Sequence, residues 1–203
     1  MKLVAALLLC GTLFGANAPR LLYSKSFPGS MPPFAAITLE KDGSCEYKEA
    51  VDDDRPLKFK LEDSEVAEMF AVTEKLGRFT RPLESGLKVA NTGIKTFRYE
   101  NGAEKNEIKF NYSQDPDARV LQDWFEKITQ TAQLYFSLER AIKYDKLGVN
   151  KSVLQLEAAM DRKGVVGLAL FLPLLDRIAK NETYLHMARE RSARLAETIR
   201  TPK

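Results

Sequence analysis

One histidine and two cysteines are all the imidazole and thiol chemistry this 203-residue chain holds. A hydrolase that pairs a serine or cysteine with an imidazole base would have to use His186. That residue lies beside the apolar seam of the last helical stretch, far in sequence from any activated nucleophile, and reads as a surface or boundary residue. Zinc finds no second histidine to complete a site with it. Cys45 falls on the apolar side of a hairpin, where a small buried hydrophobe is expected and an intermolecular disulfide is the alternative. Nothing electropositive surrounds it, so a reactive thiol is the least favoured reading. Asp52, Asp53 and Asp54 form the densest acidic run. Oxygen ligands suit hard cations, but contiguous aspartates lack the alternation and distal glutamate of a calcium loop, and a solvated turn is expected. Carboxylates paired for glycoside hydrolysis stay open, because acids are plentiful and spacing along the chain does not single out two. No catalytic, cofactor-binding or metal-ligating residue is therefore nominated.

Arg177, Lys180, Arg189, Arg191, Arg194, Arg200 and Lys203 outnumber Glu182, Glu190 and Glu197 in the last helical stretch. Long basic side chains beside a seam usually cover apolar neighbours or meet acids on a partner helix. A basic face for phosphate, lipid or cell-wall acid is the functional alternative. Aromatic residues do not interleave with it, which argues against single-strand nucleic-acid binding. The formal net charge of +3 exerts no general pull on nucleic acid or anionic lipid.

Lys2, the apolar run Leu3 to Phe14 and the small-residue box Ala16-Asn17-Ala18 have the form of a secretory leader, so residues 1–18 are expected to be a signal peptide cleaved after Ala18. The run is too short to span a membrane. Pro19 fits poorly just past a scissile bond, which keeps an uncleaved anchor as the alternative, and Leu9 before Cys10 argues against lipidation. Loss of the leader would leave Cys45 alone, with no internal disulfide possible. Stability must come from a packed core. Asn111, Asn150 and Asn181 head glycan-acceptor triplets, but a helix N-cap role for Asn150 and a place in a helical repeat for Asn181 argue against glycosylation.

Residues 19–114 read as an α+β domain. Ile37, Leu39, Cys45 and Tyr47 share a face only if Lys41-Asp42-Gly43 is a three-residue loop with Gly43 left-handed. Phe97 and Tyr99 match Ile108, Phe110 and Tyr112 across an even loop, taken as an Asn101-Gly102 turn. Leu57, Phe59 and Leu61 alternate as a strand. Asp63 or Ser64 caps a helix with Val66, Met69, Phe70, Thr73 and Leu76 inward, ending at Gly77. Residues 79–92 carry no period.

Residues 115–203 read as a helical domain. Asp115 caps a helix that Pro116 begins. Leu121, Trp124, Ile128, Tyr135, Leu138 and Ile142 form a stripe that Phe125, Ala132 and Phe136 widen to roughly 160°, so wide that it needs two neighbours. Gly148 should end this helix, and Asn150 should start a shorter one running to about Arg162. Gly164 to Leu175 reads as a buried segment. From Leu172 a single seam runs through Ile178, Asn181, Leu185, Ala188, Leu195 and Ile199, with Asn181 either a register device or a break.

The run Phe27-Pro28-Gly29 through Ile37-Thr38-Leu39 to Asp42-Gly43 and Tyr47, followed by a strand and the Asp63 to Gly77 helix, resembles exported bacterial proteins of uncharacterised function. These share a small domain with a Pro-Gly-rich lead-in and an Asp-Gly hairpin, and the resemblance implies no activity.

The expected fold class is α+β: an N-terminal antiparallel sheet with one covering helix, then a C-terminal helical hairpin or three-helix bundle. The expected function is that of an exported, non-enzymatic interaction or envelope-associated module. No cofactor is implied. Its expected partner is a protein, including a second copy met through the C-terminal helices, with no nucleic acid and no transmembrane span after the leader. The rival is an exported carboxylate-dependent hydrolase with its site between the two halves.

Overall fold

A computed structural model describes residues 18–201. The leader reading concerns residues 1–17 almost entirely and lies outside the described residues.

Six strands, β1 (Arg20–Ser26), β2 (Phe34–Glu40), β3 (Ser44–Lys48), β4 (Leu57–Lys60), β5 (Ile94–Asn101) and β6 (Glu104–Phe110), form one antiparallel sheet. Its order is β4-β3-β2-β1-β5-β6. The first hairpin has the register that apolar matching requires, with Leu39 opposite Cys45 and Ile37 opposite Tyr47. Gly43 takes φ +90° and its amide donates to the Glu40 carbonyl at 3.0 Å, which closes the three-residue loop. In the second hairpin the loop is even, as expected, but sits one residue later. Asn101 pairs with Glu104 and Phe97 with Ile108, so the turn residues are Gly102 and Ala103 rather than Asn101 and Gly102. Only Gly102 of these needs a positive φ, here +59°. This is the Gly-first arrangement, and it keeps Asn101 in the ladder.

Helix α1 (Asp63–Lys75) starts one residue earlier than expected, with Glu62 as its cap and the Glu65 carboxylate accepting from the Glu62 amide at 2.9 Å. Val66, Met69, Phe70, Thr73 and Leu76 all point inward, as the spacing requires. Helix α2 (Pro116–Tyr144) is capped by Asp115, whose carboxylate accepts from the amides of Asp117 and Ala118. Its first half joins α1 over the sheet. Tyr23 on β1 stacks on Phe125 at 4.6 Å, and Phe97 on β5 packs edge-on to Phe110 at 5.0 Å. Phe125 is therefore buried against the sheet, the second neighbour that the wide arc demanded. The outer face of the sheet carries Arg20, Thr38, Glu46, Arg98 and Glu107, and ion pairs such as Arg98 with Glu107 run across it.

The second half of α2 packs with α3 (Val149–Asp161), α4 (Leu172–Lys180) and α5 (His186–Arg200) around Leu138, Val153, Phe171, Ile178 and Leu195. Gly148 turns out to cap the start of α3 rather than the end of α2, which stops at Tyr144. The long seam is broken at Asn181. The Asn181 side-chain oxygen accepts from the Thr183 amide at 3.0 Å, a local turn that competes with helix, and α4 and α5 become a hairpin. Arg200 meets Asp176 at 2.5 Å across it. Consequently α5 lies on α3 and α4, and Leu185, at the turn between α4 and α5, is 48% exposed. In the uncharged stretch, Val165, Val166, Phe171 and Leu175 are buried, and the Val166 amide donates to Thr131 Oγ1 at 3.1 Å. Among the described residues no helix is long and apolar enough to cross a membrane.

Candidate functional site: a basic-rimmed cleft between sheet and helices

The Pro28-Gly29 segment between β1 and β2 is a tight loop. The Phe27 amide donates to the Pro33 carbonyl at 2.9 Å, and the Ser30 hydroxyl donates to the carbonyls of Phe27 and Pro32 at 2.8 and 2.6 Å. So pinned, the loop holds Met31 and Pro32 opposite the middle of α2 and the turn that follows α3. Between them lies a cleft of about 670 Å³. That size is ordinary for a small-molecule site.

The β1 wall supplies Tyr23 and Lys25, the α2 wall Asp123, Glu126, Lys127 and Gln130, and the rim Arg162 and Lys163. Asp123 and Lys127 are one helical turn apart and pair at 2.9 Å, while Glu126 meets Lys25 at 3.4 Å and accepts from the Gln122 side-chain Nε2 at 2.9 Å. Tyr23 is 2% exposed, and its hydroxyl has no hydrogen-bond partner among the described residues. Burial, and after it the Glu126 charge, pushes this phenol far above its usual range. An unsatisfied buried hydroxyl costs about 1–3 kcal/mol.

The rim is built by the end of α3. The Lys163 amide donates to the Met160 carbonyl and the Gly164 amide to the Ala159 carbonyl, both at 2.9 Å, with Lys163 at φ +54°. This is a Schellman closure in which the left-handed position, normally glycine, is occupied by lysine, and glycine stands one residue later. An L-residue there costs roughly 1–2 kcal/mol.

No family model and no curated protein matches this chain.

His186 is exposed, its Nε2 3.3 Å from Glu190 on the same helix. Cys45 is buried beneath the sheet, and desolvation pushes its thiol well above the usual range. Asp52, Asp53 and Asp54 lie in the turn between β3 and β4, with Asp52 and Asp54 exposed. The basic side chains of α5 mostly meet acids on neighbouring helices: Arg191 bonds Glu157 on α3 at 2.7 Å, and Arg194 approaches the same carboxylate at 3.6 Å. None of these residues lines the cleft. The residues that do line it escaped sequence reading, because β1, α2 and the end of α3 are brought together only by folding. One signal was present: Lys163-Gly164 closes a helix with the glycine one place late.

A second feature lies at the far end of the helical half. The Tyr184 hydroxyl donates to the Ile142 carbonyl at 3.5 Å, which brings the α2–α3 and α4–α5 turns together. Tyr144, Leu147, Leu185 and Met187, all large and apolar, are exposed in these turns.

Proposed function

We propose that this chain is an exported recognition module that binds a ligand in the cleft without transforming it. The observation that carries the reading is the pairing of Asp123 with Lys127 and of Glu126 with Lys25. Both cleft carboxylates rise from one helix, each engaged by an ammonium. A glycosidase instead sets two carboxyl groups on either side of the scissile bond. The cleft does lie between the sheet and the helices, where a hydrolase reading would put its site, and its paired acids favour binding over cleavage. Export rests on the leader residues alone.

Native mass spectrometry of protein recovered from the exported fraction tests this. The expected result is a polypeptide beginning after Ala18 that releases a small molecule on denaturation. A chain retaining Met1 would make the leader an anchor. Consumption of the released molecule by wild-type protein but not by Asp123→Asn would make the protein an enzyme.

A second reading, self-association through the helical half, is favoured by the exposed Tyr144, Leu147, Leu185 and Met187. Sedimentation of wild type against Leu185→Ser/Met187→Ser tests it, a dimer reverting to monomer being the expected result.

A further inference from the structure

The charge imbalance of the cleft is confined to its rim. Lys25 and Lys127 are paired with Glu126 and Asp123, whereas Arg162 and Lys163, adjacent and exposed, form no ion pair among the described residues. A positive residue in the last turn of a helix is favoured by the helix dipole. That accounts for Arg162. It does not account for a lysine in the left-handed position, where the backbone is strained and glycine would relieve it. The cleft is also lined by the exposed Gln130 and by Tyr23, whose buried hydroxyl has no hydrogen-bond partner among the described residues. Pro32 and Ala35 add apolar surface to the lining, Ala35 on the strand beside that of Tyr23. Two cations without an ion pair among the described residues, at the mouth of a cleft lined by both polar and apolar groups, suit a molecule with an oxyanion at one end and a body that alternates hydroxyl and C–H surface.

We propose that Arg162 and Lys163 hold the oxyanion of a small acidic sugar, a uronic acid or a sugar phosphate, whose ring lies in the cleft beside Gln130 and Ala35. This rests on the reading of the cleft as a binding site and names its ligand class. Arg162 offers the planar fork that grips carboxylate or phosphate through two parallel bonds, and Lys163 adds a mobile point charge.

Calorimetric titration of the exported chain with glucuronic acid, glucose 6-phosphate, glucose and inorganic phosphate at low salt tests the proposal. At least one sugar acid should bind at least about tenfold more tightly than glucose and than phosphate, and which one binds separates carboxylate from phosphate. Arg162→Ala should lose about tenfold or more in affinity, the usual worth of a charged hydrogen bond. Lys163→Gly is the sharper variant. It should raise the Tm by about 2–4 °C, as expected for relief of left-handed strain in a chain of this size, and lower affinity at the same time. Binding of neither acid, equal binding of glucose or phosphate, or wild-type affinity in both variants would overturn the proposal. Disappearance of the bound sugar during titration would instead sink the non-catalytic reading and leave the ligand class standing.

Discussion

The Lys95 ammonium donates to the Asn111 carbonyl at 2.7 Å, inside a lysine residue that is only 2% exposed. It also donates to Thr92 Oγ1 at 2.8 Å and to the Gly93 carbonyl at 3.2 Å, so its partners are neutral oxygens rather than a carboxylate. This one side chain ties the segment before β5 to the chain leaving β6. Desolvation, assisted by the Lys25 charge, pulls its pKa below the usual 10.5. Between the lowered folded value and the unfolded one, the unfolded chain binds more protons, so stability attributable to Lys95 rises with pH in that window. Thermal unfolding of wild type and Lys95→Met from about pH 8 to 10.5 should show wild type gaining on the variant as pH increases. At neutral pH the variant should be less stable by about 1–3 kcal/mol, because it strands carbonyls that the ammonium satisfied.

Gly43→Ala should cost about 1 kcal/mol or more, since the loop holds φ at +90° and an added Cβ would stand 2.9 Å from the Leu61 carbonyl oxygen. That oxygen belongs to backbone and cannot swing aside. Urea titration gives the number. A variant as stable as wild type would mean that the loop relaxes to another turn.

Arg191 is the polar pin between α5 and α3. It bonds Glu157 at 2.7 Å and Asn150 at 2.9 Å with its side chain 17% exposed. Charged hydrogen bonds in such partly buried places are worth about 1.5–3 kcal/mol, so Arg191→Ala should lose that much. In a double-mutant cycle with Glu157→Gln the two losses should not add.

Cys45 faces Phe59 on β4 and Leu39 on β2. Burial holds its thiol in the protonated form, and only the thiolate attacks a disulfide reagent. An aromatic disulfide such as Ellman's reagent should therefore leave Cys45 of the folded protein unlabelled at about pH 8 and react with it in denaturant. Rapid labelling under native conditions would show that the β3–β4 edge opens readily and would restore the intermolecular disulfide as a possibility.

Local rules decided much of this chain. The register of the first hairpin follows from matching Leu39 with Cys45, because a slip of one residue would turn every apolar side chain outward. Asp115-Pro116 marks the start of α2, since cap and first-turn preferences act within three residues. The buried positions of α1 and the need of α2 for two neighbours came from periodicity, which one chain segment carries by itself. The turn after β5 falls at Gly102 and Ala103 rather than at Asn101 and Gly102, because both pairs suit a turn and the ladder makes the choice. Asn181 was equally undecided. An asparagine at that spacing serves a seam or ends a helix, and the packing of α5 on α3 settled it. The cleft lay beyond any local rule. Tyr23, Glu126 and Lys163 are separated by long stretches of sequence, and what brings them to one cavity is the burial of Phe125 against the sheet together with the closure of α3 beside α2. Contacts of that range are set by the sum of packing across the fold, which the spacing of residues along the chain does not encode.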